Sequence, residues 1–206
     1  MARQKENERE AVQNATRSKL LSAAAAHVAR DGFDSANIND ISTAAGYAKG
    51  TIYNYFPSKR ALMLALVKDI AARHVAFISE TVHQTADPQE RLERFFEAGF
   101  AFVSENLAES QVLIITLYGH DRELRQIIYE AYLPLFKLLS VEVIDPGIEA
   151  GQFRSVEPTK TAGLLMTIYL GTCSQVNEAG RPWLSPQTVS DFAVHALAAG
   201  QHTQDG

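Results

Sequence analysis

The chain has 206 residues, 46% apolar and 21% charged, enough for one domain or two small ones with a real core, and no apolar run nears the roughly 18 residues needed to cross a membrane. Net charge is −5, but residues 1–60 hold nine Lys/Arg against six Asp/Glu, a net of +3, while residues 61–206 hold ten against eighteen, a net of −8; a basic head on an acidic body suits a protein that turns one face to a polyanion. The single cysteine, Cys173, excludes an internal disulfide and a cysteine-rich zinc site, and its apolar neighbours make it an inert core thiol.

Residues 1–15 alternate charges without hydrophobic periodicity and read as a flexible arm; their start, MARQKENERE, has no signal-peptide apolar stretch, so a cytoplasmic location is expected. Thr16 can cap a first helix whose inner face is Leu20, Leu21, Ala24, Ala25 and Val28, ended by Gly32. Asn37 caps a short helix over 38–45 with Ile41 inward, and Gly46 closes it. A tight turn leads to a second short helix over 48–56, with Ile52 and Phe56 inward and Pro57 as its stop. Two short helices around a glycine turn form a helix-turn-helix pattern. Ser58 then caps a long helix over 59–83 with a stripe of Leu62, Leu66, Ile70 and Phe77. Further helices are expected over 89–105 after Asp87-Pro88, over 112–118, over 121–144 (Leu124, Ile128, Tyr132, Leu135, Leu139), over 158–177 and over 185–199, with a loop at 181–183. No segment sustains period-two alternation, so the fold class is all-α, with about nine helices.

The stretch GYAKGTIYNYFPSK (46–59) places bare backbone, tyrosines and cations side by side. A helix entering the major groove needs small residues at the point of closest approach, and Ala48, Gly50 and Thr51 supply them; Gly50 inside a helix would cost about 1 kcal/mol relative to alanine. Lys49 can meet a phosphate or a guanine edge. Asn54 can donate to phosphate or read adenine. Tyr47, Tyr53 and Tyr55 carry hydroxyls long enough to reach phosphate oxygens. Lys59 and Arg60 occupy the first turn of the long helix, where cations are unfavourable unless a phosphate binds between them and the free N–H groups.

These residues resemble the DNA-binding domain of TetR-type transcriptional repressors. The family pattern T-x-x-x-I-A-x-x-A-G-V-S-x-G-T-L-Y-x-Y-F-x-S-K-x-x-L is matched here by NINDISTAAGYAKGTIYNYFPSKRAL, within a similarity that runs over residues 17–66. The resemblance implies that Asn37 meets phosphate, that Asn39 faces bases, that Tyr47–Asn54 lies in or beside the major groove, and that Tyr55 and Lys59 fall on backbone phosphates. Two departures stand out: Tyr47-Ala48 replaces the usual Val-Ser, and Arg60 replaces the usual acid, which is expected to strengthen phosphate attraction. The expected domains are a 1–15 arm, a 16–60 helix-turn-helix domain, a 61–200 helical effector-binding and dimerisation domain, and a 201–206 tail.

One recognition helix reads few bases, whereas a two-fold dimer sets two of them about 34–36 Å apart on a palindrome. The small and apolar residues of 158–177 and 185–199 suit a dimer interface, which the resemblance places there: Gly163, Thr167, Leu170, Gly171, Phe192, His195 and Ala196, with Ala162 also allowing close approach. The middle helices are rich in aromatics, and the equivalent helices of the family enclose an effector pocket. Its candidate lining is Phe95, Phe96, Gly99, Tyr118, Tyr129, Tyr132, Phe136, Met166 and Tyr169, fit for a small lipophilic or aromatic molecule. The implied partners are a double-stranded palindromic operator, a second copy of the chain and an unidentified effector. The implied mechanism is a population shift in which the effector favours a conformer whose long helix swings and separates the recognition heads. The alternative is a DNA-binding regulator of the same fold without a small-molecule effector. Enzymatic chemistry is not expected: His27, His74, His83, His120, His195 and His202 show no metal-ligand spacing, GYAKGT is not a phosphate-binding loop, and there is no G-x-S-x-G, so neither cofactor nor metal is implied.

Overall fold

The computed structural model describes residues 2–199, with side chains from Gln4 onward. The elements run α1 (Ala2–Ser35), α2 (Ile38–Ala44), a 3₁₀ turn (Thr51–Asn54), α3 (Lys59–Val82), α4 (Pro88–Glu105), α5 (Leu107–Tyr118), α6 (Arg122–Lys137), a π-helical stretch (Leu138–Ile144), α7 (Asp145–Glu149), α8 (Pro158–Ser174) and α9 (Pro186–Leu197). The described residues include no strand, only two isolated bridges, Phe153 with Ala198 and Val176 with Pro182. No single helix among them is long and apolar enough to cross a membrane.

Side-chain caps start most of these helices. The Asn37 carboxamide oxygen accepts from Asn39 N–H, Ser58 Oγ from Ala61 N–H, Asp87 from Glu90 N–H, Glu157 from Thr159 and Lys160 N–H, and Ser185 Oγ from Thr188 N–H. Each satisfies a first-turn donor that has no partner within its own helix. Proline follows the cap in α4, α8 and α9, where its missing N–H costs nothing.

Several boundaries differ from those expected. The first helix begins at Ala2, not Thr16: residues 4–10 are mostly good helix formers, and every side chain from Gln4 to Ala15 is exposed, so the extension is helical without adding to the core. Thr16 therefore lies inside α1 and is buried, and it does not act as a cap. At Gly32 the backbone leaves helical geometry (φ 77°, ψ 169°) before a last turn to Ser35. The run expected over 121–144 is α-helical only to Lys137, three residues after Pro134, whose ring nitrogen cannot donate. It widens there to π geometry, and Asp145 N–H reaches back to Ser140 O. α5 starts at Leu107, earlier than expected, and the 181–183 loop is a tight hairpin in which Asn177 N–H donates to Arg181 O and Trp183 N–H to Gln175 O.

The chain forms two compact units. One takes the chain up to Ile70 together with Ala108–Ile128; the other takes Ala71–Leu107 and the chain from Tyr129 on. The boundary expected at residue 60 is thus displaced: α3 contributes its first half to one unit and its second half to the other, and α5 with the start of α6 joins the N-terminal unit. The N-terminal core is Leu20, Leu21, Ala24, Ala25 and Val28 of α1 with Ile41, Ile52, Phe56, Leu62 and Leu66. In the second unit α4 packs on α9, α8 and the π-helical stretch. Phe153 is buried flat against Gly147, where a Cβ would fall 2.1 Å from the ring. Arg154 closes the C-terminal end of α9, its N–H donating to Leu197 O and its Nε to Ala196 O.

Candidate nucleic-acid interface and the effector-side core

The connection after α2 is held from below. Gly46 takes φ 84°, a backbone open to glycine, so the chain can reverse. Tyr47 N–H then donates to Ser42 O, and the buried Ser42 hydroxyl donates to Ala48 O at 2.8 Å. The next element is not the α-helix expected over 48–56 but a four-residue 3₁₀ turn. Gly50, at φ 90° and ψ −16°, cannot belong to a right-handed helix and delays its start to Thr51. A Cβ at Gly50 would meet nothing within 4 Å, so backbone sign, not crowding within the protein, requires glycine there.

The turn has two faces. Ile41 and Ile52 have 0% of their surface exposed, and Phe56 is buried beside them. Outward, Ala48, Lys49, Tyr53 and Asn54 are exposed, while Tyr47, Gly50, Thr51 and Tyr55 are half-buried. Asn37 is exposed at the cap of α2, with Asn39 half-buried beside it. Small residues, an amide, a lysine and phenols thus share one surface over an apolar underside, which is what a phosphate-studded groove needs.

Three groups expected to meet phosphate have protein partners. The Tyr47 hydroxyl donates to Thr16 Oγ1 at 3.3 Å, tying the turn to α1. Lys59 Nζ donates to Asp34 O at 2.6 Å, at the end of α1. The Arg60 guanidinium spans Asp121 and Glu123, with Nη2 3.0 Å from Asp121 Oδ1 and Nε 3.2 Å from Glu123 Oε2. Hydrogen bonding from Arg60 lowers the Asp121 carboxyl to about 2, and Asp121, then Glu123, hold the guanidinium above its ordinary range. Two carboxylates of the same unit thus already engage Arg60 and offset the charge expected to strengthen phosphate attraction.

In the second unit the aromatic residues form a packed cluster. Phe95, Phe96 and Tyr169 are fully buried with ring centroids 5.4–6.5 Å apart, and Tyr132 and Met166 are buried too. Gly99 has to be glycine: a Cβ there would lie 2.3 Å from the Tyr169 ring. Phe136 is half-buried. Tyr118 and Tyr129 do not join the cluster, being 59% and 57% exposed, and Tyr118 belongs to the other unit.

The polar centre of this cluster is His74, which sequence reasoning did not assign to the site. Its Nδ1 pairs with the Tyr132 hydroxyl at 2.5 Å and its Nε2 with the Tyr169 hydroxyl at 2.6 Å, while its ring stacks on Phe102 at 4.3 Å. A neutral imidazole has one donor and one acceptor nitrogen, so one tyrosine donates and the other accepts. Burial lowers its pKa to about 3 and raises both tyrosines, and it raises the Cys173 thiol to about 12. One pattern could have found it: His74 continues the four-residue ladder Leu62, Leu66, Ile70 to Ile78, all buried, whereas Phe77, expected on that stripe, is exposed. In the N-terminal unit, Phe33, Lys59, Met63, Ile115, His120 and Leu124 line a further cleft of about 530 Å³ that no local pattern announced.

Of the expected interface residues, Ala162 is buried in the core, and the others lie outside it. Gly163, Leu170 and Gly171 are half-buried, and Thr167, Phe192, His195 and Ala196 are exposed. Phe192 shows 63% of its surface and Leu164, on the neighbouring helix, 65%.

Two short helical elements around a glycine turn on a small apolar core, with a second all-helical unit, are an arrangement used by DNA-binding transcription regulators. Comparison with known proteins agrees. Residues 20–66 match the model for bacterial regulatory proteins of the tetR family. The HTH-type transcriptional repressor KstR2 of Mycobacterium tuberculosis is 30% identical over 151 residues, 68% of this chain and 70% of its own. Among solved structures, the fatty acid degradation regulator FadR of Bacillus halodurans aligns with a TM-score of 0.76 at 23% identity, over 87% of this chain and 98% of its own. FadR of Bacillus subtilis in complex with stearoyl-CoA aligns at 0.75 and 21%, over 90% and 99%. The chain belongs to the TetR family; these relatives are transcriptional regulators, and it is not an enzyme.

Proposed function

We propose that the protein is a repressor that binds a palindromic operator as a homodimer and releases it on binding a lipophilic acyl thioester of coenzyme A. The observation that carries the DNA half is the two-faced turn: Ala48, Lys49, Tyr53 and Asn54 exposed above fully buried Ile41 and Ile52. Asn37, Asn39, Tyr47, Gly50, Thr51, Tyr55 and Lys59 complete that surface. For the dimer, the exposed Leu164 and Phe192 sit beside Gly163, Thr167, Leu170, Gly171, His195 and Ala196, and a partner's matching helices would cover them. The effector class is supported by the stearoyl-CoA complex of the Bacillus subtilis relative and by the apolar cluster of Phe95, Phe96, Gly99, Tyr132, Phe136, Met166 and Tyr169.

Release needs an effector that binds one conformer better than the other, and DNA must then weaken effector binding by the same factor. α3 is the covalent route, because its backbone runs unbroken from the recognition unit into the unit that holds His74. One observation favours the second reading, a regulator without a small-molecule effector: Tyr169 already fills the space over Gly99 and packs against Phe95 and Phe96.

One experiment separates them. Duplexes enriched by the protein from a random pool are labelled, and their release is followed on adding stearoyl-CoA, palmitoyl-CoA or coenzyme A alone. Release by the acyl thioesters and not by coenzyme A, with a rise in melting temperature, supports the proposal. Failure of every acyl thioester to release DNA or raise melting leaves the effector-free regulator. Phe192→Glu should convert the dimer to monomer in sedimentation; an unchanged dimer would remove this face as the interface.

A further inference from the structure

The α1 residues just before the core-forming turn border the recognition turn directly. Gln13, Asn14 and Arg17 line one open recess of about 490 Å³ with Thr51, Asn54 and Tyr55. Gln13, Asn14 and Asn54 are exposed, and Arg17, Thr51 and Tyr55 are half-buried. The lining is amides, hydroxyls and one guanidinium, with no carboxylate. Arg17 is set in place: its guanidinium carbon lies 5.5 Å from the centre of the Phe56 ring, and its Nη1 forms a long ion pair with Asp69 Oδ1 at 3.9 Å. The quoted family motif begins at Asn37, and the wider similarity, which starts at Arg17, assigns these α1 residues no role.

We infer that this recess seats a backbone phosphate of the operator, making Gln13, Asn14 and Arg17 a second wall of the DNA site. The inference rests on the reading of the Thr51–Asn54 turn as the groove-facing element. A strand that meets Thr51 and Asn54 passes the mouth of the recess. The Arg17 guanidinium supplies the charge, and the Gln13 and Asn14 amides and the Tyr55 hydroxyl supply donors, a set suited to phosphodiester oxygens. Upstream, Arg3, Lys5 and Arg9 are matched by Glu6, Glu8 and Glu10, so net attraction on this side of the recess comes from Arg17.

The test uses the full-length protein with two probes: a duplex enriched from a random pool by the wild type, and an unselected duplex of equal length. The variants are Arg17→Gln and the double variant Gln13→Ala/Asn14→Ala, with Lys49→Ala as the reference for the turn. Because Gln13 and Asn14 are exposed, the double variant leaves the core untouched, and melting curves verify folding. The double variant should bind both duplexes several-fold more weakly. Arg17→Gln should also weaken both and reduce the slope of log affinity against log salt by about 0.9 for each phosphate lost, hence about 1.8 for a dimer. Wild-type affinity and slope in both variants, beside a weakened Lys49→Ala, would overturn the inference and leave the DNA reading standing. Loss on the selected duplex alone would also overturn it, since that marks base reading. A wild-type protein that enriches no duplex would refute the DNA reading itself.

Discussion

The buried His74 gives the second unit a specific response to acid. Its ordinary pKa of 6.5 falls to about 3 because the ring is removed from water, with both nitrogens engaged by tyrosines and its face on Phe102. The neighbouring ionisable groups, Tyr132, Tyr169 and Cys173, are all shifted upward and stay neutral, so none offers a compensating charge. Above pH 6.5 the imidazole is neutral in folded and unfolded chains alike and makes stability independent of pH. Below it the unfolded chain takes up a proton that the folded chain refuses, and stability is lost progressively until the folded value is reached. The loss runs at about 1.4 kcal/mol per pH unit, so that at about pH 5 this one group removes roughly 2 kcal/mol. Urea unfolding at about pH 7.5, 6 and 5 measures it, in a window where most carboxylates are ionised in both states. His74→Phe should be less stable at neutral pH, because it strands two tyrosine hydroxyls, yet nearly flat across that window. An unchanged pH dependence in His74→Phe, or an imidazole resonance that titrates near 6.5, would refute the reasoning.

Other perturbations probe the recognition turn and the core. Gly50→Ala should cost about 1–2 kcal/mol by urea unfolding, because φ 90° is strained for a residue with a Cβ while no steric neighbour adds to the penalty. Gly99→Ala must displace the Tyr169 ring and should cost about 1–3 kcal/mol, with a change in near-ultraviolet circular dichroism. Arg60→Ala should leave DNA affinity within about threefold, since Asp121 and Glu123 compensate its charge; being an exposed pair, its loss should change stability by no more than about 1 kcal/mol.

Much of the architecture was legible because it rests on local chemistry. Ser58, Asp87 and Ser185 announce helix starts through the donors they satisfy, and Leu124, Ile128, Tyr132, Leu135 and Leu139 bury as helical spacing requires. Ile41, Ile52 and Phe56 were readable as the buried underside of the proposed DNA face for the same reason. What escaped depends on pairing across the chain. Arg60 meets carboxylates 61 and 63 residues away, and His74 meets tyrosines 58 and 95 residues away, separations that leave no periodic trace. The 3₁₀ turn escaped for another reason. Both a helix interior and a left-handed turn admit Gly50, and sequence spacing does not tell which backbone sign it takes. The π-helical widening after Pro134 likewise breaks the 3.6-residue period on which the expectation of one helix over 121–144 rested.

The central claim is that the exposed side of the Thr51–Asn54 turn and its flanks binds DNA. Its most direct measurement is the salt-dependent affinity, by fluorescence anisotropy, of wild type and Lys49→Ala for a palindromic duplex enriched from a random pool. Lys49 is exposed, so the variant should melt like the wild type while binding at least several-fold more weakly and with a shallower salt slope. Equal affinity and equal slope in a folded Lys49→Ala protein, or a wild type that enriches no sequence at all, would contradict the account.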